Sequence, residues 1–204
     1  MNSNSTVWYF TDLPPNLVDE VEQTCNQGNQ NVKPSTILPG GETRIRNSDN
    51  AWIPSSNWIA GYLWHYIERA NRDNFLYDIS HIDGETIQYT HYGPGQHYGW
   101  HVDGWITNQT KPEIIQSFSV NNSPDKVRLS GECSRKLSFV MQLSSPEDYS
   151  GGELQFLDGR KTFFAPKQKG AIIIFDGRLP HRVRKVKKGH RKSLVGWVVG
   201  PRWR

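Results

Sequence analysis

The sequence predicts a mainly β chain with an α+β layout, in which many short strands build a sandwich or barrel and N-terminal helices cover it. Three observations predict this. From Phe75 onward, nine short stretches are rich in aromatic and β-branched residues. Gly, Pro, Asp or Asn separates them, and strands this short and numerous favour a sandwich or barrel. Two amphipathic helical patterns precede them.

The first helix is read in "DLPPNLVDEVEQTC", where prolines mark the start and Leu17, Val21 and Cys25 recur every four residues. Residues 28–43 read as a polar loop, and "ETRIRNSDNAWIP" as a partly extended stretch closed by Pro54. The second helix is expected over 56–71, capped by Ser55 or Ser56. Ile59, Tyr62, Leu63, Tyr66, Ile67 and Ala70 form its apolar face. The strands follow: "FLYDIS", "ETIQYTHY", "QHYGWHVD", "KLSFVMQLS", "GELQFLD", "KTFFAP", "GAIIIFDG", "HRVRKV" and "SLVGWVVG". The stretch 104–134 is long and polar, as mobile or functional loops are.

With 204 residues, the chain suits a single domain over 1–204. Residues 1–73 would form a helical and loop support, and 74–204 the β core. No stretch approaches a membrane span, and the start lacks a signal-peptide pattern. Two cysteines far apart, Cys25 and Cys133, suit a reducing compartment, so a cytoplasmic protein is expected. The net charge of +4 is concentrated in "HRVRKVKKGHRK" (181–192), a solvated face or a contact for phosphates.

"HYGPGQHYGWHVDGW" (91–105) carries the chemistry. In a strand, residues i and i+2 share a face, so His101 and Asp103 converge while Val102 turns away. An imidazole and a carboxylate are two thirds of the facial set that suits non-haem Fe(II). His181, delivered by the strand and turn of "GAIIIFDGRLP", is the best third ligand. A rival zinc reading takes His97, which has the parity of His101, with His101 and Asp103.

"YGPGQHYGWHVD" (92–103) resembles the Tyr-x-x-Gly-x-x-Tyr-x-x-His-x-Asp pattern of Fe(II)/2-oxoglutarate dioxygenases of the prolyl 4-hydroxylase type. "RKLSFVMQLSSPEDYSGGELQF" (135–156) and "FDGRLPHRVRKVKKGHRKSLVGW" (175–197) are similar to that family's next two blocks, in family order. The resemblance implies a double-stranded β-helix, or jelly roll, with N-terminal helices packed on one sheet. It implies Fe(II) on His101, Asp103 and His181, with 2-oxoglutarate and O2 as cosubstrates. Ascorbate is a further small molecule that such an enzyme would meet.

By the same resemblance Arg191 grips the far carboxylate of 2-oxoglutarate, with Lys192 the runner-up. Tyr92 would hydrogen-bond that carboxylate. His181 and Arg191 are expected to begin the two strands of one hairpin. Gln142 is either another cosubstrate contact or an outward strand residue. Tyr98 and Trp197 either line the pocket or belong to the core. The implied reaction hydroxylates a C–H bond while 2-oxoglutarate is converted to succinate and CO2.

A peptide or protein substrate, hydroxylated on a prolyl residue, is the leading expectation. Arg46, Asp49 and Trp52 either contact that peptide or form a local salt bridge beside a buried indole. Trp100 and Trp105 either stack on the substrate or pack. The 104–134 segment would close over the site. A nucleic-acid-repair branch of the superfamily carries a second Arg six residues after the first. Trp197 stands there, which argues against DNA demethylation. Two other readings are open: a jelly-roll module binding nucleic acid through 182–192, and a metal enzyme that needs no 2-oxoglutarate.

Overall fold

The computed structural model describes residues 6–28, 33–35, 45–104 and 133–203. The expected closing segment 104–134, with Trp105, lies outside the described residues except at its ends.

The N-terminal part contributes β1 (Val7–Phe10), α1 (Pro15–Gly28), β2 (Lys33–Pro34), β3 (Arg46–Asn47), β4 (Asp49–Pro54) and α2 (Trp58–Ala70). Then come β5 (His81–Ile82), β6 (Thr86–Tyr92), β7 (His97–His101), β8 (Cys133–Gln142), β9 (Tyr149–Gly151) and β10 (Leu154–Asp158). The chain finishes with β11 (Lys161–Phe164), β12 (Ile172–Asp176), β13 (His181–Val183), β14 (Val186–Gly189) and β15 (Arg191–Pro201).

Among the described residues, eight strands form a major sheet in the order β1-β12-β8-β15-β6-β4-β2, with β5 also on β15. Five form a minor sheet, β11-β10-β13-β7-β3, and β14 pairs with β9. Every pairing is antiparallel. This is the expected jelly roll, and residues 1–73, expected as helix, loop and one partly extended stretch, supply strands to both sheets. Four strands come from that stretch, because the sheets' edge strands find their backbone partners there.

Period-two alternation divides the major sheet. Leu137, Phe139 and Met141 of β8, with Leu194 and Val198 of β15, pack in one core cluster with Ile59, Leu63 and Ile67 of α2 and Val21 and Cys25 of α1. The helices therefore cover the outer face of this sheet. The opposite parity faces the minor sheet, where Val140, Ile173 and Phe175 meet Leu154, Phe156 and Val183.

Local predictions held for both helices, with changes at the ends. Asn57, rather than either serine, caps α2, its Oδ1 accepting from the Ile59 amide at 3.0 Å. A π-helical turn, Asn71–Phe75, then extends the helix. "FLYDIS" is consequently no strand: Phe75 ends that turn and Leu76 adopts a left-handed φ of 56°. Asn71 holds this exit with both ends of its amide, donating to the Tyr77 carbonyl and accepting from the Tyr77 amide, each at 2.9 Å. "HRVRKV" also breaks, into β13 and β14, which belong to different sheets.

Candidate metal and cosubstrate site

The site sits between the two sheets. His181 opens β13 and lies directly opposite His101 at the end of β7. Asp103 is two residues further on. Its amide donates to the Gly177 carbonyl at 2.9 Å, which ties the metal-motif strand to the turn preceding His181. Gly104 also donates to Gly177, and a Cβ on Gly104 would crowd the Arg135 carbonyl at 2.9 Å. The close approach of these backbones explains the glycine after the aspartate.

The donor atoms of His101, Asp103 and His181 all lie within 4.8 Å of one another. Asp103 Oδ1 is 3.6 Å from His101 Nε2, and Oδ2 is 3.3 Å from His181 Nε2. Each imidazole has its Nδ1 at 2.9 Å from a backbone carbonyl, Gly99 for His101 and Leu179 for His181. A carbonyl only accepts, so Nδ1 carries the proton and Nε2 turns a lone pair to the centre. Ser138 Oγ donates to Asp103 Oδ2 at 2.7 Å. Burial, then the neighbouring His181, pushes His101 down to about 4. Burial alone would raise the Asp103 carboxyl, but His181, His101 and Ser138 hold it well below the usual carboxylate range. At neutral pH the cluster therefore offers a neutral imidazole at His101 and an ionised carboxylate, the protonation states a metal requires.

A β-bulge decides which aromatic joins them. The β7–β13 register pairs His101 with His181 but Tyr98 with Val183, so β7 carries one extra residue. The extra residue reverses the parity. Tyr98, rather than His97, shares the inner face and stacks on the His101 ring at 3.6 Å between centroids. The His97 zinc reading fails for this reason: among the described residues the cluster comprises His101, Asp103 and His181.

At the other end of the cavity is Arg191, 1% exposed. It opens β15, opposite Tyr92 of β6, and its guanidinium lies 5.6 Å from the Tyr92 ring centroid. The expected hairpin with His181 is corrected: β13 belongs to the minor sheet and β15 to the major one. The two residues therefore face each other across the interior. Gln142 points inward, accepting from Arg191 Nη2 at 2.9 Å and donating to the Pro166 carbonyl at 3.2 Å. Arg191 Nε finds no acceptor, and no carboxylate among the described residues pairs with this buried cation. The buried Tyr149 hydroxyl also lies beside Arg191, whose charge and hydrogen bonding act on it. Burial raises the Tyr149 phenol more than Arg191 lowers it, so it stays a neutral donor. Such an unused donor on an uncompensated charge is costly unless an anion fills the space.

Trp197 lines the cavity, with Arg135 stacked 3.9 Å from its ring centroid and its Nε1 buried without a partner. Arg46 lines it too, 4.9 Å over the Tyr98 ring, and donates to Ser48 and Gln88. The expected Arg46–Asp49 salt bridge is absent: Asp49 instead accepts from Gln96 at 3.0 Å. Trp52 is 51% exposed rather than buried, and neither Asp49 nor Trp52 lines the cavity. Trp100 points out of the cavity, because the bulge that turns Tyr98 and His101 inward leaves it on the far side.

Sequence reasoning missed Ser138, Thr90, Ser193, Asn50 and Tyr149. Ser193 lies directly between Thr90 and Gln142 across the strands, and Asn50 pairs with Thr90. Hydroxyls or amides of Asn50, Thr90 and Ser193 are buried without partners. One signal could have found them: polar residues at alternate positions of otherwise apolar strands.

A family model, the 2OG-Fe(II) oxygenase superfamily, matches residues 87–199, which include His101, Asp103, His181, Gln142 and Arg191. The chain belongs to that superfamily. With membership come Fe(II), and 2-oxoglutarate and O2 as cosubstrates. A PKHD-type hydroxylase of Picosynechococcus sp. is 30% identical over 154 residues, covering 74% of this chain and 59% of its own. A PKHD-type hydroxylase of Prochlorococcus marinus is 33% identical over 112 residues, covering 55% of this chain and 40% of its own. This chain thus spans less than two thirds of the length of these relatives. The fold is similar to that of a Trichoplax adhaerens prolyl hydroxylase in complex with a hypoxia inducible factor peptide fragment. That likeness has a TM-score of 0.69 at 18% identity, covering 98% of this chain and 85% of that one. A Pseudomonas putida prolyl-4-hydroxylase gives a TM-score of 0.67 at 18% identity, covering 97% and 94%. No helix among the described residues is long and apolar enough to cross a membrane.

Proposed function

We propose that this oxygenase hydroxylates a C–H bond of a peptide or protein, at a prolyl residue, with 2-oxoglutarate converted to succinate and CO2. The observation that carries the reading is Arg191, a fully buried cation with an open Nε and no carboxylate partner, across one cavity from the His-Asp-His cluster. A dicarboxylate fits that arrangement, with one end at the metal and the other on a guanidinium fork. In this reading His101, Asp103 and His181 hold Fe(II), which would activate O2. Gln142 aims the guanidinium, and Tyr92 and Tyr149 flank the carboxylate. Tyr98 and Trp197 keep water from the reacting bond. Arg46, with guanidinium hydrogens to spare, reaches the substrate. Prolyl hydroxylation is supported by the relatives' names and by the fold shared with a peptide-bound prolyl hydroxylase.

The test is an anaerobic titration of the Fe(II)-loaded protein with 2-oxoglutarate, followed by succinate assays with a peptide library. A weak visible absorption band is expected on adding 2-oxoglutarate, together with succinate formation that needs both iron and 2-oxoglutarate. Asp103→Ala should abolish both signals. Arg191→Ala should keep iron binding but raise the 2-oxoglutarate requirement more than tenfold, about the value of a charge-assisted pair. An Asp103→Ala protein that turns over like the parent would defeat the metal assignment. An unchanged 2-oxoglutarate requirement in Arg191→Ala would defeat the cosubstrate assignment.

A further inference from the structure

The solvent face of the minor sheet carries a second arrangement that the oxygenase chemistry does not use. Its rungs are set by register: Phe164 of β11 opposes Gln155 of β10, and Gln155 opposes Arg182 of β13. Arg182 lies 4.6 Å over the Trp100 ring and donates through Nε to Gln155 at 2.8 Å. Arg184 lies 5.8 Å from the Phe164 ring centroid. Trp100 and Phe164 are 40% and 50% exposed. A groove runs beside this row, lined by Gly151, Glu153, Arg182, Arg184, Lys185 and Lys187. Four cations there face one carboxylate, Glu153, which meets Arg184 only at 3.8 Å.

We propose that this groove docks an acidic polypeptide segment, whose carboxylates are taken up by Arg182 and Arg184. Charge complementarity sets the sign of the partner. The stacking sets its class. The Arg182 guanidinium already covers one face of Trp100, so that face is closed to nucleobases, on whose stacking single-strand nucleic-acid binding depends. A guanidinium fork matches the two oxygens of a carboxylate, which suits Arg182 and Arg184 to that partner. Gln155 fixes Arg182 further by occupying Nε and leaving the terminal nitrogens free. Trp100 and Arg182 are chain neighbours of His101 and His181 but occupy the other face of the sheet. The groove therefore works without the metal site.

The experiment measures binding of a fluorescein-labelled oligoglutamate peptide by anisotropy, with an oligothymidylate of matched charge as the second probe. The peptide should bind with an affinity that falls as salt rises. Arg182→Gln and Arg184→Gln should each weaken it about tenfold. Lys185→Gln with Lys187→Gln, on exposed side chains that the fold does not need, should reduce the salt dependence. Arg69→Gln on α2 and Asp103→Ala at the metal cluster should leave peptide binding unchanged. The proposal is overturned if the oligothymidylate binds more tightly than the peptide and loses affinity in Trp100→Ala. It is equally overturned if the lysine pair can be neutralised without effect, or if Asp103→Ala abolishes peptide binding.

Discussion

The two faces of the major sheet are made from the same strands and do opposite work. On the outer face of β8, Leu137, Phe139 and Met141 are fully buried against the helices. On its inner face Ser138 and Gln142 are just as buried, yet Ser138 serves Asp103 and Gln142 serves Arg191. β15 repeats the division, with Leu194 and Val198 outward and Arg191, Ser193 and Trp197 inward. The outer face gains from burial throughout. The inner face buries Arg191 Nε, Thr90 Oγ1, Ser193 Oγ and Trp197 Nε1 without partners among the described residues. Each such group opposes folding, so the inner face gives up stability to keep a polar cavity, and the outer face supplies the surplus.

Four substitutions test this contrast. Phe139→Ala, on the outer face, should cost about 3–5 kcal/mol in denaturant melts, while the metal-dependent absorption band of the folded fraction survives. Arg191→Met, on the inner face, should change stability by less than about 1.5 kcal/mol, since a well-packed apolar replacement of a buried charge is often neutral. It should nevertheless abolish tight 2-oxoglutarate binding in calorimetry. Thr90→Val, nearly isosteric and losing only an unpaired hydroxyl, should be neutral or stabilising by about 1 kcal/mol. If Thr90→Val costs as much as Phe139→Ala, the division between the faces is wrong.

The last outcome, confined to strongly alkaline pH, concerns Cys25 in the helix-covered core. Burial, then the Glu22 charge, pushes its thiol up from 9.0 to about 12. The folded state thus holds this proton more tightly than the unfolded state. Its contribution to stability is complete below pH 9.0 and disappears as pH rises toward about 12. Cys25→Ala should flatten that part of the pH–stability curve. Iodoacetamide at mildly alkaline pH should label Cys25 only after unfolding, read by mass spectrometry.

The helices were legible because Ile59, Leu63 and Ile67 repeat at helical spacing. The cap was misread because Ser55, Ser56 and Asn57 are all competent and chain geometry chooses among them. "FLYDIS" was misread because its composition is that of a strand, whereas the Asn71 side chain, bonding Tyr77, ends a helix there. In the site, His101 and Asp103 were legible from their i,i+2 spacing. Parity favoured His97 over Tyr98, and the bulge that reverses this choice is seen only against β13. Asp49, Trp52 and Trp100 carried plausible chemistry in the sequence, and the fold put all three outside the cavity lining.

Local chemistry was enough for the helical faces, the alternation of the strands, and a histidine and an aspartate converging on one side of a strand. Those follow from backbone periodicity, which acts between near neighbours. It took the assembled sheets to set His181 opposite His101, to bring Arg191 toward them from the other sheet, and to leave its charge without a carboxylate among the described residues. These are relations between residues far apart in the chain, set by strand order and register, and no local preference specifies them.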